Sequence, residues 1–400
     1  MLLSIALIML FGMFAGTIFK KIRLPYIIGM LVVGILLGPY VLDLLDDSIL
    51  NISGDLRQIA LIIILMKAGL TLDIGDLKRV GRPAVLLCFL PATMEIIAYL
   101  LLAPKLMGIS LLEAGIIGAV MGAVSPAVIV PAMSKLIDQG WGTEKGIPQM
   151  IIAGSSADDV YVIVVFTALI SLAQGGKVSP AEFLQVPVSI LLGIALGVAV
   201  GFALVLYFKK FHMRDTIKVI ILLSVSFLLV VLEEALEGTV AVSGLLAVMT
   251  MGITIYNRYD VLAKRITGKF TKMWVPAEIL LFVLVGSVVN IRYALSAGIM
   301  MVVMLIIGLL FRLAGTYLCV LGTKLNRKER MFCMISQIPK ATVQAAIGGV
   351  ALAKGLSCGN IVLTAAVVSI LITAPIGAFG IEASYKKLLT RTSLDSDGNV

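Results

Sequence analysis

Thirteen long apolar runs, separated by short stretches of charged or turn-forming residues, make up most of this 400-residue chain. They lie approximately at 2–19, 26–42, 58–72, 83–103, 112–134, 147–172, 187–208, 217–232, 239–256, 275–290, 294–320, 331–352 and 361–381. Runs of this length match what a helix needs to cross a bilayer, about 20 residues at a rise of about 1.5 Å each. The pattern therefore predicts an all-α polytopic membrane protein with 13 transmembrane helices, residues 1–400 forming a single membrane domain. The first run has no basic leader or convincing cleavage site and ends at Lys20 and Lys21, so it is expected to be a retained helix, not a signal peptide.

Composition sharpens this picture. Hydrophobic residues reach 60% and charged ones only 14%, against about 45 to 50% and about 25% in soluble domains. The formal net charge of +9 does not point to nucleic acid, because the basic residues sit in short loops between apolar runs and not on a folded, water-facing surface. Their distribution instead sets the topology, since short cytoplasmic loops are enriched in Lys and Arg. With thirteen spans, the odd connections and the C-terminal tail hold 24 of the 32 basic residues, counting Lys218 at the edge of the run 217–232, and the even connections hold five. The N-terminus is thus expected outside and the C-terminus in the cytoplasm, in a cell (inner) membrane. The remaining three, Lys67, Arg312 and Lys340, lie within apolar runs.

An odd number of spans permits an inverted repeat, helices 1–6 (1–172) opposed to helices 8–13 (217–381) around a linker helix at 187–208. Unusual residues recur in corresponding spans. Span five carries Ser125 and Pro126 and span twelve carries Pro339; span four carries Glu95 and span eleven carries Arg312. A proline removes a helical hydrogen bond and clashes with the preceding turn. Paired interruptions at membrane depth must then line a cavity or pack against protein, presenting half-helix ends to an ion.

Asp158 and Asp159 carry the candidate chemistry. Eleven residues of the run 147–172 precede the pair and thirteen follow it, which places it near the midplane. A carboxylate there is costly unless paired, protonated or facing water, so intramembrane acids mark ion or proton routes. With Glu95, Arg312 and Lys340 the inventory is three acids and two bases. Pairing Glu95 with Arg312, and Lys340 with one aspartate, leaves the other aspartate free for a proton or a metal cation. Oxygen ligation suits a hard cation such as sodium or lithium, with Ser125, Ser155, Ser156, Thr342 and unwound carbonyls available as further ligands. No cofactor is expected beyond the transported ions, and membrane lipid is the expected surrounding.

Other features carry less. Lys67 and Glu278 read as residues near span ends that reach the interface. Gly34 with Gly38, and Gly193, Gly197 and Gly201, form small-residue faces expected to serve intramolecular packing. Glu233, Glu234 and Glu237 read as a solvated rim. Cys88, Cys319, Cys333 and Cys358 lack metal-ligand spacing and read as small core residues. His212, the single histidine, falls in a basic loop and leaves no Ser-His-Asp triad.

Five stretches in order, LPYIIGMLVVGILLGP from Leu24, LRQIALIIILMKAGLTLD from Leu56, GAVSPAVIVPAM from Gly122, SSADDVYVIV from Ser155 and PKATVQAAIG from Pro339, resemble the monovalent cation:proton antiporter superfamily, most closely its NHA-type sodium/proton antiporters. The resemblance implies a six-helix transport core with two crossed discontinuous helices, a dimerisation domain, a homodimer and elevator-like alternating access. It implies that Asp159 is the ion- and proton-binding carboxylate and Asp158 its partner. Arg312 stands where many relatives have lysine, paired with an acid at Glu95, and Lys340 lies in the second broken helix. One departure is Ser125-Pro126, where some bacterial relatives carry an acid. A sodium-coupled organic-anion symporter is the main alternative, but it requires a roomy cavity with unpaired cations. An intramembrane aspartyl protease requires aspartates on separate spans, which an adjacent pair does not provide.

Overall fold

The computed structural model describes residues 1–22, 24–71, 81–174, 180–236, 242–289 and 291–391, and helices dominate them. In chain order these are α1 (Leu2–Lys21), α2 (Tyr26–Leu37), α3 (Asp47–Asn51), α4 (Ser53–Gly69), α5 (Arg82–Leu87), α6 (Leu90–Met107), α7 (Leu111–Met121), α8 (Pro126–Asp138) and α9 (Ile147–Gln174). They continue as α10 (Pro180–Lys210), α11 (Asp215–Ala235), α12 (Gly244–Arg258), α13 (Asp260–Ser287), α14 (Ile291–Val320), α15 (Arg327–Ser336), α16 (Thr342–Gly348), α17 (Val350–Ala353) and α18 (Gly359–Leu388). Among the described residues, every apolar run named above falls largely on a helix or an interrupted helix, as expected where lipid cannot satisfy a backbone and each segment must bond internally. Among the described residues, nine helical stretches are long and apolar enough to cross a membrane, and α2 and the α16–α17 stretch are shorter apolar helices. The chain is a multi-pass membrane protein.

Two boundaries move in a way that matters. The run at 275–290 is the end of α13, which already begins at Asp260. Its first turns are too charged to show as an apolar run, yet they are helical, with Lys264 Nζ 3.2 Å from Asp260 Oδ2 one turn away. Glu278 therefore sits deep in a long helix, not near a span end. It is buried and accepts a hydrogen bond from the Tyr26 hydroxyl at 2.6 Å. The fourth run is likewise split at Cys88 and Phe89 between α5 and α6, with Pro91 in the first turn of α6.

The helices pack in two groups. In the first, α1, α2, α4 and α13 pack together, α12 packs on α4 and α10, and α11 packs on α12 and α13. In the second, α6 packs on α14 and α7, α9 on α5, α7 and α8, and α18 on α15, α16 and α17. The groups meet where α9 touches α10 and α16 touches α4. The small-residue faces serve packing inside the first group. A Cβ at Gly197 would lie 2.4 Å from the Ala247 carbonyl oxygen, and one at Gly34 would lie 2.1 Å from that of Val283. The helix pairs α10–α12 and α2–α13 thus approach backbone to backbone, as such faces permit.

Smaller expectations fall out as follows. Cys319, Cys333 and Cys358 are buried and Cys88 half-buried, all free thiols, and His212 is exposed. Glu233 is a helix cap, its Oε2 accepting the Gly244 amide at the start of α12 at 2.9 Å. The Glu234 side chain and Glu237 lie outside the described residues. Lys67 is half-buried and interacts electrostatically with Glu278, so it faces protein as well as the interface.

Replacing Gly197 with Val is expected to cost about 1 to 3 kcal/mol, because the new methyls meet backbone that cannot move aside. Thermal unfolding of the detergent-solubilised protein measures this, and an unchanged midpoint would contradict the packing of α10 on α12.

Candidate functional site

The site is built where two helices are interrupted. Between α7 and α8 the chain runs through Gly122 to Ser125, and Ser125 is extended (φ −88°, ψ 110°), as the residue before a proline must be. Pro126 then opens α8 at its first position, where its missing N–H costs nothing. The second interruption, Gln337 to Ala341, separates α15 from α16 and contains Pro339. The two touch, since the Ser125 amide donates to the Pro339 carbonyl oxygen at 2.8 Å.

An interrupted helix exposes the carbonyls of its last turn, and a helix C-terminus carries partial negative charge. Here cationic and amide side chains meet them. Gln344 Nε2 donates to the carbonyl oxygens of Val120 at 3.0 Å and Ala123 at 2.9 Å. The Lys340 ammonium donates to Met121 O, and Arg312 Nη1 to Gly122 O. Four successive carbonyls at the end of α7 are thereby satisfied from α14, the second interruption and α16.

Arg312, fully buried on α14, reaches further. Its Nε donates to Gln337 O at 2.9 Å, and its Nη2 to Gln337 Oε1 at 3.1 Å and Asp158 Oδ2 at 2.7 Å. Nη1 also reaches Glu95 Oε2 at 3.4 Å. A guanidinium has five N–H donors, and each has an acceptor here. One side chain thus ties both interruptions to α6 and α9. The Lys340 ammonium lies 2.8 Å from the Glu95 carboxylate, and the Lys340 amide donates to Thr373 Oγ1 on α18 at 3.0 Å. All three charged groups Glu95, Arg312 and Lys340 have no solvent exposure.

This pairing corrects the expected one in part. The expected Glu95–Arg312 pair is present, as the longest contact of the set at 3.4 Å, but Lys340 pairs with Glu95 and not with an aspartate, and Arg312 also takes Asp158. The reason is donor geometry: the five-donor fork of Arg312 can span two interruptions and an acid, whereas the single ammonium of Lys340 points at α7 and α6.

The aspartates divide. Asp158 is buried, and its Oδ2 accepts from both Arg312 and the Val124 amide, the latter at 2.9 Å. Asp159 is half-buried, forms no ion pair among the described residues and has an Oδ1 without a hydrogen-bond partner there. The neighbouring Oδ1 of Asp158 and the buried Ser125 hydroxyl are also without partners. The Ser155 hydroxyl is turned away, donating to Ile152 O at 3.1 Å. Thr342 is buried at the start of α16, and the Ser156 side chain lies outside the described residues. Gln337, Gln344 and Thr373 were not singled out from the sequence. The two glutamines flank Pro339 and Lys340 in a mostly apolar run, which was a usable signal; Thr373 gives none.

Comparison with known proteins places this geometry. A family model described as "Sodium/hydrogen exchanger, transmembrane" matches residues 5–386. The chain belongs to the sodium/hydrogen exchanger family. It is 33% identical over 385 residues to sodium/hydrogen exchanger 9B2 of Homo sapiens, covering 92% of this chain and 70% of that protein. It is 33% identical over 372 residues to the Mus musculus protein of the same name, covering 89% of this chain and 66% of the relative. The chain thus spans about two thirds of the length of these relatives. The fold is similar to that of the sodium proton antiporter MjNhaP1 from Methanocaldococcus jannaschii, with a TM-score of 0.83 over 96% of this chain and 97% of that one at 20% identity.

Replacing Lys340 with Met is expected to cost about 3 to 5 kcal/mol, because Glu95 is left buried against a long contact alone. In a double-mutant cycle with Glu95→Gln, the coupling should lie in the range of about 0.5 to 3 kcal/mol. Additive losses in thermal unfolding would show that the two residues do not form a pair.

Proposed function

We propose that this exchanger-family chain is a secondary active antiporter that exchanges sodium or lithium for protons, both competing for Asp159. The observation that carries the reading is the division of the aspartates: Asp158 is compensated by Arg312, and Asp159 has no cationic partner among the described residues. An acid at membrane depth without a fixed counter-ion is neutralised by what it binds, a proton or a metal cation. The cluster also offers the unpartnered oxygens of Asp158 and Ser125 as further hard ligands. The family match and the names of the similar proteins point the same way.

In this reading residues 1–400 are one membrane transporter domain of 13 spans, with helices 1–6 and 8–13 as inverted repeats. The two interrupted helices occupy corresponding spans and cross at their breaks. The second packing group is the moving transport core, and the first is a static scaffold that pairs two copies into a homodimer. Movement of one group past the other provides elevator-like alternating access. The N-terminus is outside the cell (inner) membrane and the C-terminus cytoplasmic. A sodium-coupled organic-anion symporter draws support from one buried unpaired cation, Arg57, but Arg57 shares no hydrogen bond with the aspartate cluster. Sodium-driven proton counterflow in proteoliposomes, read with a pH dye, separates the two.

Arg312 bears on the proton count. If a cation draws Asp158 away, the stranded base is an arginine, which does not deprotonate in proteins. Lys340 keeps Glu95 and the Met121 carbonyl as partners throughout. One proton then exchanges for one cation, and transport is electroneutral.

Two measurements test this. Asp159→Asn should abolish exchange while leaving the unfolding midpoint near that of the parent; near-normal sodium-dependent proton flux in a folded variant would remove the central claim. Exchange should also be insensitive to a membrane potential stepped from zero to about 100 mV, a step worth roughly 2.3 kcal/mol per net charge moved. A strong response after leak correction would identify a second proton carrier.

A further inference from the structure

Away from the aspartates, a cavity of about 510 Å³ lies between the two packing groups, lined on one side by α4, α11 and α12 and on the other by α9, α16 and α17. Arg57 of α4 projects into its wall and is only 7% exposed. Its Nε donates to the Ser53 carbonyl oxygen one turn back, at 3.1 Å. Its Nη1 is buried with no hydrogen-bond partner. The guanidinium abuts the α16–α17 junction with its Nη1 corner, since a Cβ at Gly349 would sit 1.8 Å from Nη1 but 3.6 Å from Nη2. A scaffold cation therefore rests directly on backbone of the opposite group.

Two acids line the cavity, and neither pairs with it. Asp55 is exposed, and Glu233 is engaged by the Gly244 amide at 2.9 Å. The other lining base, Lys354, is exposed and donates to Gln174 Oε1 at 3.4 Å. Arg57 is thus the one fully charged side chain among the described lining residues that is buried without a counter-ion, the arrangement that a folded protein does not leave uncompensated.

We propose that this cavity is a binding site for one small monovalent anion of the chloride class, held against the Nη edge of Arg57 at the junction of the two helix groups. A single uncompensated positive charge calls for a single negative one, and the carboxylates of Asp55 and Glu233 repel a dianion. Nε is already committed to Ser53, so the fork that binds planar oxyanions through Nε and Nη is incomplete. A spherical anion asks only for the Nη edge and for amide donors, which Asn51 and Gln58 bring to the same wall. Because the wall is shared between the groups, the anion favours whichever arrangement of them forms it.

The test uses the purified full chain in detergent, with sodium fixed while gluconate is replaced stepwise by chloride. The unfolding midpoint should rise by about 1 to 3 °C and saturate, as expected of a ligand that binds only the folded state. Arg57→Gln should remove the rise. No chloride-dependent rise in the parent, or the same rise in Arg57→Gln, overturns the proposal. So does a fall in the midpoint of Arg57→Gln equal in both salts with no chloride response in the parent, which would mean that Arg57 serves only packing. Should Arg57→Gln fail to fold, chloride-35 line broadening by the parent decides: broadening that bromide displaces supports the site, and its absence overturns it.

Discussion

The structure depends on one guanidinium. Two helices are interrupted at membrane depth, and each interruption frees carbonyl groups that lipid cannot satisfy. Arg312 donates to one such carbonyl on each side, Gly122 and Gln337, while its remaining donors reach Glu95, Asp158 and the Gln337 side chain. Prolines alone do not create such breaks. Pro104, Pro131, Pro276 and Pro375 all sit inside continuous helices. What distinguishes Pro126 and Pro339 is a facing set of donors, Arg312, Lys340 and Gln344, able to take the freed carbonyls.

That division of labour also positions the aspartates. Asp158 is held by Arg312 and by the Val124 amide inside the first interruption, so its orientation is set by the same element that opens the helix. Asp159, about 100° further round α9, leaves that contact network and faces a less enclosed environment. Neighbours in sequence thereby acquire different surroundings without any difference in side-chain chemistry. The glycine contacts of α10 with α12 and of α2 with α13 hold the first group backbone to backbone, giving a firm surface against which the second group packs.

Much of this was legible in the sequence, for physical reasons that can be named. Apolar runs report helices because bilayer-length burial and internal hydrogen bonding impose a minimum length, and among the described residues every run fell largely on helical structure. Asp158, Asp159, Glu95, Arg312 and Lys340 were visible because charge within such runs is expensive. Their pairing was visible only in part: Glu95 does meet Arg312, but charge balance fixes only the sums, and Lys340 could satisfy Glu95 or an aspartate equally well on that count. The depth of Glu278 was hidden because α13 begins in a charged stretch that hydropathy does not register as helix. The importance of Gln344 was hidden for another reason: an uncharged amide adds nothing to a charge inventory, although its two hydrogen bonds close the end of α7. Arg57 stands just ahead of the apolar run that opens at 58, so hydropathy leaves it outside the membrane segment, yet α4 begins at Ser53 and carries it inward.

The charge inventory has a further consequence for coupling on the proposed reading. Glu95, Asp158 and Asp159 against Arg312 and Lys340 leave the buried cluster with one net negative charge, all of it carried on or facing the second packing group. Binding one proton or one monovalent cation at Asp159 brings that sum to zero, so the two loaded forms meet the membrane interior with the same formal charge. The unloaded form carries the uncompensated carboxylate into a low-dielectric environment and meets the full penalty for it. Movement is then favoured only when Asp159 is occupied, and exchange follows from electrostatics without a separate gate. The same logic explains why Asp158, though adjacent, must stay paired: freeing it would leave the loaded form neutral in sum but with a carboxylate and the Arg312 guanidinium each buried uncompensated, which removes the distinction on which exchange rests.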